Sequence, residues 1–485
     1  MHLPTSRLVA LAFACAAAFA AAISVDAQTR VTYPAGSGVI NVRTDLVALG
    51  IHTSNAVGDG LADDTLALQR ALTVPIRGAA TADFRVVYLP DGTYRVRDTL
   101  SWPASASATA PGGTNITLQG ESESGVVIRL DNTAPGFTDP AAPRPLIWTG
   151  RDIPERFGHN VRHLTLDTGS GNDGAIGAQF FANNFGAFRQ VTVRGSGLIG
   201  LDLGFSAKNG PLLVKQVTVD GFATGVRTGT PPQSLTFENL SLRNQSQRAF
   251  HNLSQTVSIR GLSVGGLSSG AVAGLVNESG HVVLLDATFT GNAATAGIPA
   301  VGNGASGRLL ARNLSASAWS AAIADPSGNA AAGAVAEWSS DGVVKLFTSA
   351  PDTTLNLPVE ETPDVPWDDP STWANIVDFG ATDSQYVGTS DPLYYDNDGP
   401  ALQAAIDSGA TTVFIPAGRF RTDSTVIRIR GNVRRIIGVG SASRFTHGYS
   451  YVGDCFVLEA GNAGASDTVV IQGDVIPTCT PYPNF

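Results

Sequence analysis

The chain has 485 residues, of which only 15% are charged, and a formal net charge of −10. An acidic balance of this kind disfavours nucleic acid and anionic membrane as partners, because both select basic surfaces. Fifty-four glycines and few charges suit short strands and tight turns better than amphipathic helices.

The N-terminus reads as an export signal. Arg7 supplies a positive start, Leu8 to Ile23 an apolar run, and Val25-Asp26-Ala27 a small-residue cleavage pattern. Residues 1–27 are therefore expected to be removed, leaving Gln28 first in a secreted or periplasmic protein. The apolar run is short for a membrane span, and no later stretch is long enough, so no membrane partner is expected after removal.

Gly58 to Leu72, GDGLADDTLALQRAL, follows as a capping helix. Asp63 or Asp64 is placed to cap it, and Leu66, Leu68, Ala71 and Leu72 give it an apolar face. From Val86, VVYLPDGTYRVRDTL predicts two strands joined by a turn at Pro90-Asp91-Gly92.

A repeat then dominates the chain. Short alternating segments begin at Leu164, Val191, Val217, Leu240, Leu262, Ala287 and Leu314, in steps of 27, 26, 23, 22, 25 and 27 residues. Alternation makes each segment a half-buried strand, and a period of this size makes the series a solenoid. Leucine-rich repeats share the period but require a dense Leu and Asn/Cys pattern that is missing, and a β-sandwich would not give so regular a series. The fold class is therefore all-β, a parallel β-helix. One position in each segment points outward: Thr165, Thr192, Thr218, Ser241, Ser263, Thr288 and Ser315, a column of hydroxyls able to bond along the ladder. Two residues beyond the first four stand Asp167, Arg194, Asp220 and Arg243, alternating in sign.

Residues 348–372, rich in Pro, Asp and Thr, read as a linker. The capping module then returns. DGPALQAAI from Asp398 matches the first helix, Leu68-Gln69 aligning with Leu402-Gln403, and VFIPAGRFRTDSTV from Val413 matches the first strand pair. The expected organisation is a first unit over 28–347 and the start of a second over 373–485. The second has room for only two or three coils before Phe485 and looks truncated. Cys455 and Cys479 suit one disulfide in an oxidising compartment.

These two modules resemble the opening of pectate-lyase-like β-helix domains, which are right-handed, and their tandem arrangement is similar to glycoside hydrolase family 55, the β-1,3-glucanases. WANIVDFGA from Trp373 and TTVFIPAGRF from Thr411 carry the second comparison. The family 55 resemblance implies a secreted glycoside hydrolase acting on neutral β-glucan, with its site between two β-helices and its acid on later coils of the second. Such an acid lies beyond Phe485, so little turnover is expected of the chain as given. The Gly-His-Gly and Arg-x-Lys strings of polygalacturonases are absent.

Hydrolysis of a glycoside needs two carboxyls flanking the bond. Exposed-strand and loop candidates in the first unit are Asp167, Asp173, Asp220 and Glu238, with Asp202, Glu278 and Asp286 beside them. Arg194, Arg243, Trp367 and Trp373 are candidates for substrate contact, the tryptophans as platforms lining a cleft between units. The column Asp167, Arg194, Asp220, Arg243 reads as an ionic ladder, or as a strip for an acidic sugar. Three functions are open: a β-glucan hydrolase, a non-catalytic carbohydrate-binding or adhesion protein, and a uronate lyase. No cofactor is expected except Ca²⁺ in the last case, and the partner throughout is a polysaccharide.

Overall fold

The computed structural model describes residues 30–75, 85–103, 115–150, 156–184, 186–229, 233–364, 367–383, 397–422, 425–446, 456–458 and 469–472. The export signal, Cys455 and Cys479 lie outside them. Among the described residues no helix is long and apolar enough to cross a membrane.

The alternating segments form a parallel ladder. Val191 pairs with Leu164 and Val217, Val217 with Leu240, Leu240 with Leu262, and Ala287 with Leu314. All seven first residues are buried in one continuous apolar core. Each such side chain contributes roughly 1.5–3 kcal/mol on burial, so a slip of one residue, which would turn the whole set outward, is strongly disfavoured. The hydroxyl column is also in register, from Thr165 to Ser315. Its hydroxyls do not bond one another, however. Rungs about 4.8 Å apart exceed hydroxyl reach, and the Thr165 and Thr192 hydroxyls instead donate to Glu123, at 2.8 Å (O) and 2.7 Å (Oε1).

Each alternating segment is half of a longer bent strand. Gly186–Gly195, Leu212–Gly221, Ser234–Arg243 and Thr256–Gly265 each run through a bend. The bend residue is left-handed in every coil: His163, Gln190, Gln216, Asn239, Gly261, Asp286 and Asn313 have φ between 51° and 72°. Polar residues and glycine therefore precede each alternating triplet because that conformation suits Gly, Asn and Asp best.

A third strand completes each coil: Ala175–Gln179, Ile199–Asp202, Thr224–Thr228, Arg248–Asn252, Ala273–Asn277 and Pro299–Asn303. Its small residues are dictated by the stacking. A Cβ on Gly200 would fall 2.2 Å from Val219 Cγ1, and one on Gly225 would fall 2.5 Å from the Ala249 carbonyl. At its end an amide ladder runs inside the coil. The Thr228 hydroxyl donates to Asn252 Oδ1 at 2.5 Å, Asn252 Nδ2 to Asn277 Oδ1 at 2.8 Å, Asn277 Nδ2 to Asn303 Oδ1 at 2.7 Å, and Asn303 Nδ2 to Asp325 Oδ2 at 2.6 Å. The far end is closed by Ala330–Ser339, which pairs antiparallel with Arg308–Ala324.

The helices α1 (Thr65–Thr73) and α2 (Gly399–Asp407) occupy equivalent places. Asp64 and Asp398 stand at their N-caps, but neither carboxylate caps its helix. Asp64 accepts from the amides of Val57 at 2.7 Å and Gly58 at 2.9 Å; Asp398 accepts from those of Thr382 and Arg421, both at 2.8 Å. Each aspartate thus ties a helix start to a preceding turn or a strand. After α2 three short strands, Thr412–Ile415, Gly418–Arg421 and Ile427–Ile429, each pair in parallel with a later strand and enclose a separate apolar core.

Residues 357–364 lie as an extended strap along the bent strands. The Leu357 carbonyl accepts from Arg312, Glu361 meets Arg260, and Asp364 reaches Lys215 and Arg189. About 24 Å of extended chain spans five rungs of about 4.8 Å, so the strap carries the chain back toward the first coils. There Trp367, Trp373, Phe414, Ile437 and Val439 pack with Tyr33 and Val86.

Candidate functional site

The third strands gather a set of titratable and charged groups at a single position. Asp202, Arg227, His251 and Val276 are consecutive rungs of one ladder, and Glu278 follows two residues after Val276. Asp202 is fully buried. Arg227 grips it in bidentate fashion, Nε to Oδ1 at 2.9 Å and Nη2 to Oδ2 at 2.8 Å, while Gly204 N and Gln179 Nε2 fill its remaining positions at 3.0 and 3.2 Å. A carboxylate so occupied is saturated by its partners; it fixes the Arg227 guanidinium.

One rung on, His251 Nε2 lies 2.6 Å from Glu278 Oε1, and Arg248 Nη1 lies 3.3 Å from both ring nitrogens. The His251 side chain is 11% exposed and that of Glu278 52%. Burial holds the imidazole below the usual histidine range; Glu278 opposes this, and the positive Arg248 and Arg227 reinforce it. The ring is neutral at neutral pH. Its Nε2–H then donates to Glu278, and Nδ1 keeps the lone pair. A neutral base, an orienting carboxylate and two guanidiniums therefore meet within two rungs.

The residues singled out from sequence are distributed differently. Asp167 and Arg194 form one ion pair at 2.9 Å, and Asp220 and Arg243 another at 2.9 Å. Asp167 also accepts from Gly169 N at 2.8 Å, and Asp220 from Asn244 Nδ2 at 2.7 Å. The four make two closed pairs on four neighbouring bent strands, away from the third-strand strip. Asp173 is an exposed turn residue. Glu238 is buried beneath the strap, 3.4 Å from Lys215 Nζ, and accepts from the Thr362 amide at 3.0 Å and its hydroxyl at 3.0 Å. Asp286 binds Arg260 at 3.2 Å and Asn313 at 2.7 Å, which hold it below the usual carboxylate range. Burial pushes Glu123, which accepts from Thr192, upward.

Trp367 and Trp373 do not stand as open platforms. Their rings meet at 5.1 Å, Trp373 lies 5.4 Å from Phe414, and Arg435 sits over Trp367 at 4.4 Å. The Trp367 indole N–H donates to the Thr32 carbonyl at 3.0 Å and that of Trp373 to Asp368 Oδ1 at 2.5 Å. They fill the apolar cluster that Phe414, Ile437 and Val439 form with Tyr33 and Val86, because their apolar area is worth more there than in water. Among the described residues no three His, Cys, Asp or Glu side chains converge as a metal site, and Asp167 and Asp220 are each taken by an arginine.

Arg227, Arg248 and His251 escape a reading based on alternation, because Ala249 and Phe250 are adjacent and both buried. A signal was nevertheless present. Asn252, Asn277 and Asn303 recur at 25 and 26 residues, and lining up the residue before each isolates His251.

Residues 49–276 match a family model described as rhamnogalacturonase A/epimerase, pectate lyase-like. No curated protein matches the sequence. Among solved structures, ORF18 of Geobacillus virus E2 is similar at 15% identity, covering 57% of this chain and 62% of that one, with a TM-score of 0.32. Tailspike protein 2 of bacteriophage CBA120, in its enzymatically active domain, is similar at 11%, over 60% and 46%, with a TM-score of 0.35. The A-module of the Azotobacter vinelandii mannuronan C-5 epimerase AlgE4 is similar at 11%, over 91% and 98%, with a TM-score of 0.29. This chain thus spans less than two thirds of the first two. The family match and the solenoid agree with the pectate-lyase-like resemblance of the capping module.

Proposed function

With residues 49–276 matching a pectate-lyase-like family and coiled as a parallel β-helix, we propose that the protein acts on a uronate-containing polysaccharide by removing the proton at C5. The observation that carries this reading is the neutral His251, held 2.6 Å from Glu278 with Arg248 at 3.3 Å. The proton at C5 is acidified by the adjacent carboxyl group only when the charge on that group is neutralised. Arg248 supplies that neutralisation by charge-assisted bonds, since Arg227 is already closed on Asp202. His251 Nδ1 takes the proton as the C5–H bond breaks, and Glu278 stabilises the imidazolium that forms. The electron pair left at C5 then either expels the C4 oxygen, which leaves with a proton from solvent (lysis), or takes a proton from solvent on the opposite face (epimerisation), and the imidazolium returns its proton to water.

Hydrolysis fits this strip less well, since its second carboxyl, Asp202, is fully buried and saturated. The β-1,3-glucanase alternative draws on the tandem capping modules and is a distinct outcome of the same experiment. The full chain is incubated in D₂O with polygalacturonate, mannuronan and laminarin. Deuterium at C5 or ultraviolet-absorbing unsaturated ends on a uronate polymer, lost in His251→Gln, is the expected result. New reducing ends on laminarin without either signal would establish the hydrolase instead, and binding without any product would establish an adhesin.

The reading includes export. It rests on Arg7, the apolar run to Ile23 and the Ala27 cleavage pattern. A mature N-terminus at Gln28 in protein recovered outside the cytoplasm is the expected finding.

A further inference from the structure

The rung just before each left-handed bend carries a column of cations: Arg162, Arg189, Lys215, Arg260 and Arg312, with Glu238 between Lys215 and Arg260 and Leu285 between Arg260 and Arg312. Like charges stacked about 4.8 Å apart repel. Some of that repulsion is relieved from outside the column by the strap. Lys215 Nζ, on a side chain only 2% exposed, lies 3.0 Å from Asp364 and bonds the Thr362 carbonyl. Arg189 meets Asp364 at 2.9 Å, Arg260 meets Glu361 at 3.6 Å, and Asn239 donates to Glu361 at 2.7 Å.

The fit is that of an extended polymer on a regular lattice. Glu361 and Asp364 are three residues apart, about 10 Å of extended chain, and the two rungs from Arg260 to Lys215 also span about 10 Å. Backbone carbonyls of the strap, at Leu357 and Thr362, accept from Arg312 and Lys215. Neutralisation is incomplete. Glu238, Glu361, Asp364 and Asp286 serve the middle of the column, but no carboxylate pairs with Arg162 among the described residues. Its Nη2 donates to Asn160 at 2.8 Å, and its buried Nε has no hydrogen-bond partner. Burial and the neighbouring Arg189 push its pKa down to about 10, the direction expected of a cation without a counter-charge.

We propose that this column is a binding groove for a linear carboxylated polysaccharide, separate from the His251 strip, and that the strap is its built-in competitor. The strap mimics the ligand by placing two carboxylates on an extended backbone at the rung spacing. An incoming chain would displace Glu361 and Asp364 and add the carboxylate that Arg162 lacks.

The test is calorimetric titration of the full chain with oligogalacturonate. Glu361→Gln with Asp364→Asn should bind at least about threefold tighter, the size expected when partly exposed ion pairs stop competing. Arg162→Gln added to that variant should remove the gain. His251→Gln should leave this gain intact while abolishing turnover, so the groove and the strip fail or survive independently. No gain in a strap variant of native thermal stability, or a gain untouched by Arg162→Gln, overturns the proposal. Should the strap variant not fold, Arg162→Gln in the native chain decides: weaker binding supports the groove and unchanged binding overturns it. Binding of polyglutamate without binding of oligogalacturonate assigns the groove to peptides and also overturns it.

Discussion

Two ionic columns run along the same solenoid at the same rung spacing, and they are built for different ends. On the bent strands, Asp167, Arg194, Asp220 and Arg243 alternate in sign and close into two pairs, each at 2.9 Å. Both arginines are about half exposed, so the pairs are screened and easily replaced by water. On the third strands the sequence of rungs is Asp202, Arg227, His251. The first two close into a bidentate pair; the third is an imidazole held by burial below the usual histidine range, set against Glu278 and Arg248. Alternation of charge is thus a stacking device wherever every member finds a partner. Chemistry enters where a rung is occupied by a base whose charge depends on its surroundings.

The largest effect that would break this contrast is on turnover. His251→Gln should lower the rate of C5 proton exchange by about 10²–10⁴-fold while the melting temperature stays near native. Equal loss in Arg243→Gln would erase the distinction between the columns. Next comes the buried amide ladder, the uncharged counterpart of both. Asn277→Ala removes the donor to Asn303 Oδ1 and leaves Asn252 Nδ2 only the Gln255 carbonyl, and should cost about 2–5 kcal/mol in denaturant unfolding.

A further contrast separates buried from exposed groups by pH. Burial holds His159 and His163 down to about 3, below an unfolded value of about 6.5. The unfolded chain therefore binds protons first, so stability is complete above about pH 6.5 and is lost as pH falls from there toward 3. Thermal melts across that window should show the decline, and a flat profile would contradict the buried, neutral state. Activity should share the sign, its acid limb lying below the ordinary histidine value. Arg248→Gln should move that limb to higher pH by removing a positive neighbour of His251. The smallest effect belongs to the exposed column, where Arg243→Gln should shift stability by about 0.2–1 kcal/mol and leave turnover unchanged.

The sequence was most legible where one physical pattern acts alone. Leu164, Val191 and Val217 alternate with polar neighbours because one face is core and the other solvent, and their register could be written down in advance. The third strands were illegible by that rule, since Ala249 and Phe250 are both buried and glycine occupies the tight position in Gly200 and Gly225. Asp64 and Asp398 were found as an equivalent pair, yet their bonds run to other segments because helix starts in these modules are pinned against neighbouring backbone. Glu238 looked like a surface acid on a strand; only the return of residues 357–364 buries it. Trp367 and Trp373 were read as displayed, and the apolar cluster with Tyr33, Val86 and Phe414 takes them in.

The antiparallel strand Ala330–Ser339 bears on how the stack of rungs ends. A stack of parallel rungs is an unfinished lattice: its last edge offers the hydrogen-bond pattern that another copy's first rung would match, so end-to-end growth into fibres is the natural hazard. Ala330–Ser339 runs against the grain and presents an edge of opposite polarity. Gly333, paired with Ala316, has φ at 124°, a conformation that residues with a side chain rarely adopt. The seam works as a full stop, ending propagation by reversing direction instead of adding bulk.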